Sequence, residues 1–206
     1  MILAQEALKR LQEGNRRFVS DDSIFKKLSC QNRRPSLEMD QKPFAIVLGC
    51  SDSRVPAEIV FDQGLGDLFV IRVIGNIVAP SQIGSIEFAV QQFDTRLVVV
   101  MGHTKCGAIL TTLEELKQPT EAQSQNFRSI INRIRPSVEP LLAKNLECQP
   151  DDLLKQAVHA NINSSVDQLR HESKILERLI RENMLLIVGA EYSLENGIVS
   201  FFDKSP

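Results

Sequence analysis

Two stretches of the chain are built alike: FAIVLGCSDSR, from Phe44 to Arg54, and LVVVMGHTKCG, from Leu97 to Gly107. Each opens with five apolar residues, Phe44 to Leu48 and Leu97 to Met101, and each run is closed by a glycine, Gly49 or Gly102. Runs apolar on both faces are what parallel strands need when helices cover both sides of their sheet. In open parallel sheets, functional groups gather beyond the carboxyl ends of neighbouring strands. The residues that follow the two glycines, Cys50 in one stretch and His103 and Cys106 in the other, are therefore expected to meet in one crevice.

Two thiols and one imidazole form a zinc set. Zinc takes thiolate sulfur and imidazole nitrogen in a tetrahedron at roughly 2.0–2.3 Å, and catalytic sites leave one position for water. Cys50, His103 and Cys106 leave that position open. His103 and Cys106 read as the start of a helix, where free N–H groups favour a thiolate. Asp52 and Arg54 follow Cys50 at two and four residues. The carboxylate can take the hydrogen of a hydroxide at the metal, and the guanidinium can hold that carboxylate ionised.

The motifs CSDSR and GHTKCG resemble those of the β-class carbonic anhydrases. The similarity continues through VPAEIVFDQGLGDLFVIRVIGN, IGSIEFAV and GAEYSLENGIV, covering most of the chain from Gln41 to Val199. The resemblance implies reversible hydration of carbon dioxide to bicarbonate and a proton, by attack of a zinc-held hydroxide that Asp52 and Arg54 orient, with one Zn2+ per subunit. It further implies a homodimer or dimer-based homo-oligomer with active sites at the subunit interface. Gln41 matches a glutamine whose amide donates to a substrate oxygen, and Phe69 and Ile74 match apolar residues of the carbon dioxide pocket. Phe88 matches a position that is often tyrosine, so its ring can bound the pocket without a hydroxyl. One subgroup of the family swings the aspartate onto zinc in acid and binds regulatory bicarbonate beside a Trp, an Arg and a Tyr. Arg72 and Tyr192 match two of these, but Val47 stands at the Trp position and the chain has no Trp, which implies the subgroup with an accessible zinc water.

Composition narrows the classes from another side. A chain of 206 residues with 43% hydrophobic residues can bury a substantial core. Its 24 basic and 26 acidic residues give a net charge of -2, which offers no global attraction to nucleic acid or an anionic membrane. The substrate is expected to be small. Four widely spaced cysteines without a secretory signal suit reduced thiols in the cytoplasm, with Cys30 and Cys148 as ordinary thiols. No apolar run approaches the ~20 residues that cross a bilayer.

The pattern along the chain predicts one α/β unit over 1–206: a mostly parallel sheet flanked by helices, with a helical arm and connection over 1–42 and a zinc-binding core over 43–206. In the arm, Ala4, Leu8, Leu11 and Phe18 form an amphipathic stripe, expected to dock on a neighbouring subunit. LFVIRVI reads as a strand interrupted by Arg72, a structural charge near a sheet edge. Ile86, Ala89, Val90 and Phe93 form one helical stripe, with Phe88 off it. Pro119, Pro136, Pro140 and Pro150 are expected to cut a polar helical region into short pieces. A strong helical pattern returns from Asp151 to Glu182, and MLLIVGAEY and GIVSFF close the chain as an edge hairpin. His159 and His171 fall in polar helix, where solvated positions are the default, and neither is assigned to proton transfer.

Other chemistries fit the residues less well. A phosphatase loop would not place the carboxylate of Asp52 between Cys50 and Arg54, where it would repel phosphate. A zinc-dependent sensor or binding protein would not need Asp52 and Arg54. A hydrolase of another small linear molecule, such as carbon disulfide, would differ only in the channel leading to zinc.

Overall fold

A computed structural model describes residues 2–24, 34–38, 40–119, 123–144 and 149–202, with the side chains of residues 34, 36, 143 and 144 left aside. Cys30 and Cys148 lie outside these residues. The two apolar runs form β1 (Ala45–Gly49) and β3 (Leu97–His103), and every residue of both is buried. They pair in parallel, with Ile46 opposite Val98 and Gly49 opposite Met101. Because the register sets the two strand ends side by side, Cys50 emerges next to the end of β3.

The sheet has the order β2-β1-β3-β4-β5, with β2 at Leu68–Arg72, β4 at Leu186–Tyr192 and β5 at Val199–Phe202. The first four of these strands run parallel, and β5 returns antiparallel to β4. The chain leaves β1 toward β2 on one side and later enters β3 on the other. This order places the reversal between β1 and β3, the point where open α/β sheets leave a crevice for a ligand.

Alternate side chains of the strands feed two cores. On one face Ile46, Leu48, Val98, Val100 and Ile187 pack with residues of five helices: α4 (Pro80–Phe93), α5 (Gly107–Lys117), α6 (Gln125–Lys144), α7 (Pro150–His171) and α8 (Lys174–Arg181). On the other face Ala45, Val47, Leu97, Val99 and Met101 pack with α1 (Ala4–Val19) and α3 (Ala57–Val60). A further turn of helix, α2 (Arg34–Leu37), falls in the stretch expected to be a plain connection.

Part of the N-terminal helix's apolar stripe, expected to dock on a neighbouring subunit, is already covered by its own chain. Ala7, Leu8 and Leu11 are buried within the single chain, and burying each leucine is worth roughly 1.5–3 kcal/mol. Polar contacts fix its seat. Asn15 donates to the carbonyls of Val60 and Gly197 at 3.1 and 2.8 Å and accepts from the Val199 N–H at 2.8 Å. Gly14 permits this approach, because a Cβ there would stand 1.8 Å from the Phe61 carbonyl oxygen.

Other expectations are corrected. Pro136 and Pro140 do not cut the segment: both lie inside the 20-residue α6. They are one helical repeat apart on its exposed side, while Ile131, Ile134 and Val138 face the core. The backbone bonds that these prolines remove are lost where water can substitute and where helices bend most readily. Strand β2 ends at Arg72, short of the expected Ile74, and Ile74–Asn76 form a tight turn with Gly75 at φ 69°. The long C-terminal helical pattern also divides in two, where Ser173 caps α8 by accepting from the Leu176 N–H at 3.2 Å. Among the described residues, no helix is long and apolar enough to cross a membrane.

Candidate metal centre

The carboxyl ends of β1 and β3 bring Cys50, His103 and Cys106 together, all buried, with their ligand atoms within 4.8 Å of one another. His103 is the last residue of β3, not the opening of a helix. Cys106 occupies the N-cap of α5 in an extended conformation, so the helix N-terminus serves the second thiol alone. Thr104 ties the intervening loop to β4: its N–H donates to Tyr192 O at 3.0 Å, and its hydroxyl accepts from the Leu194 N–H at 3.0 Å.

The imidazole is set for a metal by its other nitrogen. His103 Nδ1 lies 3.0 Å from the carbonyl of Thr104, and a carbonyl only accepts, so Nδ1 carries the proton and Nε2 keeps its lone pair. Nε2 is buried without a hydrogen-bond partner. Such an orphan is costly unless something binds it, and here it faces two thiols.

Those thiols are in contact and shift each other's titration in opposite directions. Cys50 is pulled well below the ordinary thiol range by the hydrogen bond from Cys106, against the effect of burial, and the Gly75 N–H adds a bond at 3.3 Å. Cys106 is pushed up by that same bond to Cys50, then by burial and by the charge of its neighbour. The two thiols are thus pushed in opposite directions by their contact, and a divalent cation bound between them would displace a proton. Gly75 makes this contact possible: its left-handed φ suits glycine, and a Cβ there would stand 3.0 Å from Ile134 Cδ1 and 3.3 Å from Ala108 Cβ. The donor set fits zinc.

Asp52 and Arg54 form a fork beside the cluster. Arg54 Nε donates to Oδ1 at 2.9 Å and Nη2 to Oδ2 at 2.7 Å, while the Arg54 N–H adds 3.0 Å to Oδ1. Hydrogen bonds from Arg54 outweigh burial and hold the Asp52 carboxyl far below the usual carboxylate range. Asp52 Oδ2 stands 3.8 Å from His103 Nε2, close to the cluster yet committed to Arg54.

Arg72 has a role that sequence reasoning did not reach. Its place at the end of edge strand β2 agrees with a structural charge, but its partners are the backbone of the site: Nε donates to Cys50 O at 3.1 Å and Nη2 to Asp52 O at 2.6 Å. One side chain therefore fixes the loop carrying both a ligand and the carboxylate. No local pattern announces this, because the partners lie 20 and 22 residues away.

A cavity of about 320 Å³ opens onto the thiols and Asp52, with Ile74, Ala108 and Phe127 supplying apolar wall. Phe127 was hidden in the sequence by the polar residues around it. Of the four expected pocket residues, only Ile74 lines this cavity. Phe69 sits opposite Ile46, four residues before Cys50 and so about 13 Å back along the strand. It clusters with Phe88 and Phe93 at ring separations of 5.7–6.4 Å, and Phe88 remains 51% exposed. Gln41 is exposed beyond the amino end of β1, the strand end opposite the one that Cys50 follows.

Comparison with known proteins gives one answer. The sequence matches a family described as Carbonic anhydrase over residues 45–199. It is 40% identical over 193 residues to a carbonic anhydrase of Mycolicibacterium smegmatis, covering 94% of this chain and 90% of that protein. The fold matches the β-carbonic anhydrase CafA of Aspergillus fumigatus with a TM-score of 0.76 and 26% identity, over 85% of this chain and 82% of that one. It also matches one of two tetrameric β-carbonic anhydrases of Sordaria macrospora (TM-score 0.73, 23% identity, 82% and 85% covered), a likeness of fold. With its cysteine–histidine–cysteine cluster at the switch point of a parallel sheet, the chain belongs to the β-carbonic anhydrase family.

Proposed function

We propose that the chain catalyses the reversible hydration of carbon dioxide to bicarbonate and a proton, with one zinc ion per subunit held by Cys50, His103 and Cys106. The observation that carries this reading is the buried, unpartnered His103 Nε2 facing two thiols, with an ionised Asp52 alongside. Zinc would act as a Lewis acid that lowers the pKa of the reacting water. Asp52 accepts a hydrogen bond from that water and orients it, and Arg54 keeps the carboxylate ionised and aimed. Ile74, Ala108 and Phe127 offer an apolar wall suited to an uncharged linear substrate.

The pH profile tests this assignment. Because Arg54 holds Asp52 ionised far into acid, the carboxylate should not titrate across the mildly acidic to alkaline range. Hydration rates by stopped flow should rise with pH as one proton leaves the reacting water. A steep multi-proton collapse in acid, deepened by bicarbonate, would mean that Asp52 leaves Arg54 for the metal and that Val47 does not prevent it.

The remaining pocket residues act, in this reading, in trans. Gln41, Phe69 and Phe88 cannot reach the metal cluster of their own chain, since β1 alone spans about 16 Å. A second copy presenting its exposed Phe88 and Gln41 would complete the site and cover this surface, giving a homodimer or a dimer-based assembly. Mixing denatured Cys106→Ala and Gln41→Ala chains and refolding them should restore about a quarter of native activity, since half of randomly paired dimers carry one intact site of two. A mixture no more active than its parents would place Gln41 in its own chain's site, or outside the mechanism.

A further inference from the structure

The turn that donates to Cys50 is held from outside itself. Gly75 and Asn76 both take left-handed backbone, at φ 69° and 44°, and for Asn76 that region is kept only where the surroundings fix it. Glycine has more freedom than any other residue, so the direction of the Gly75 N–H depends on what holds its neighbouring peptide groups. Two side chains of α7 do so. Asn161 Nδ2 donates to the Gly75 carbonyl at 2.8 Å, and Ser165 Oγ donates to the Asn76 carbonyl at 3.1 Å. The two residues stand four apart and so share one face of the helix, and both are 3% exposed.

The closeness of α7 to the sheet makes this reach possible. Ile162, next to Asn161, lies over two glycines: a Cβ would stand 2.6 Å from its Cδ1 at Gly102 of β3 and 2.8 Å from its Cγ2 at Gly189 of β4. Side chains at those places would push the helix outward. On its other side the turn is tied to β1, where the Val73 N–H donates to Gly49 O at 3.1 Å. Between these two anchors the Gly75 N–H meets Cys50 Sγ at 3.3 Å.

Resting on the ligand assignment above, we propose that Asn161 and Ser165 are positioning residues of the metal centre, holding Gly75 so that its N–H stays on the Cys50 sulfur. Both act through the backbone of the turn. A helix that only had to pack here could present apolar side chains, as α7 does with Val158, Ile162 and Val166; instead it places two buried donors on consecutive carbonyls of the turn that carries the sulfur contact. A hydrogen bond to a metal-held thiolate fixes the direction of the sulfur and draws charge from it, and partners of this kind set both the orientation of a ligand and the affinity for the metal.

The test compares the native full chain with Asn161→Ala, Ser165→Ala, Ser165→Thr and a packing control, Val158→Ala, which truncates a buried apolar side chain of the same helix. Zinc affinity, measured by competition with a chelator, should weaken about 10–100-fold in Asn161→Ala. The loss should be smaller in Ser165→Ala, which acts one residue farther from the Gly75 N–H, and Ser165→Thr, which keeps the hydroxyl, should stay close to native. Cobalt(II) in place of zinc gives a readout independent of turnover. Its sulfur-to-metal absorption band should move to longer wavelength in Asn161→Ala, because a thiolate that loses a hydrogen bond gives up charge more readily. Val158→Ala should lower the melting temperature and leave the band where it is. If Asn161→Ala does not fold, Ser165→Ala against Ser165→Thr carries the same comparison, with smaller shifts in the same directions. Native affinity with an unmoved band in the foldable variants that lack a donor, or an equal band shift in Val158→Ala, would overturn the proposal. A native band unchanged by Cys50→Ala would instead defeat the ligand assignment, and the proposal with it.

Discussion

Replacing Cys50, His103 or Cys106 by alanine should strip the chain of zinc, from near one ion per subunit to a small fraction, and abolish carbon dioxide hydration with it. Among the described residues the cluster offers three protein ligands and no free replacement: Asp52 Oδ2 is 3.8 Å from His103 Nε2 and bound by Arg54. Removing one ligand leaves two, and the expected loss exceeds the roughly 10–100-fold that follows when only an orienting residue is disturbed. The three variants should not be equal in stability. His103→Ala also removes the ring that engages the Thr104 carbonyl and leaves space in a fully buried position, so it should melt lowest. Metal analysis on the purified variants checks the first claim, and near-stoichiometric zinc in all three would refute the ligand set.

Asp52→Asn should separate metal binding from turnover. An amide fills the same space and keeps one acceptor, so zinc content should remain close to native. Arg54 loses half of its fork, because the amide nitrogen cannot accept whichever of the two bonds, now 2.9 Å to Oδ1 and 2.7 Å to Oδ2, falls to it. Activity should fall about 10–100-fold, the usual cost of losing a group that orients a metal site. Much of that loss should appear in kcat. Arg54 is 57% exposed in its side chain, so its pairing adds little to global stability, and the melting temperature should hardly change. Full activity in Asp52→Asn would remove the carboxylate from the mechanism.

The centre was legible in the sequence because its signals are local. A buried strand, a glycine and a ligand recur in Phe44 to Cys50 and Leu97 to His103, and the order of strands and helices gives the sheet. What stayed hidden depends on contacts that no period encodes. An amphipathic stripe shows that α1 must bury Leu8 and Leu11 but does not say against what. The answer, its own sheet, rests on Gly14 and on Asn15 reaching backbone 182 and 184 residues away. Pro136 and Pro140 read as breaks until their shared exposed side of α6 is seen. Arg72 looks like an edge charge until its bonds to the Cys50 and Asp52 carbonyls appear. His159 reads as solvated until β4 sets Glu191 beside it, 32 residues on.

The central claim is that Cys50, His103 and Cys106 hold a zinc ion that makes this chain a carbonic anhydrase. Stopped-flow hydration of carbon dioxide, followed on the native protein, after chelation, and after one equivalent of zinc is returned, tests it most directly. The account predicts activity that disappears with the metal and comes back at one zinc per chain. Hydration that persists unchanged in the fully metal-free protein, or none in the protein carrying one zinc per chain, would contradict it.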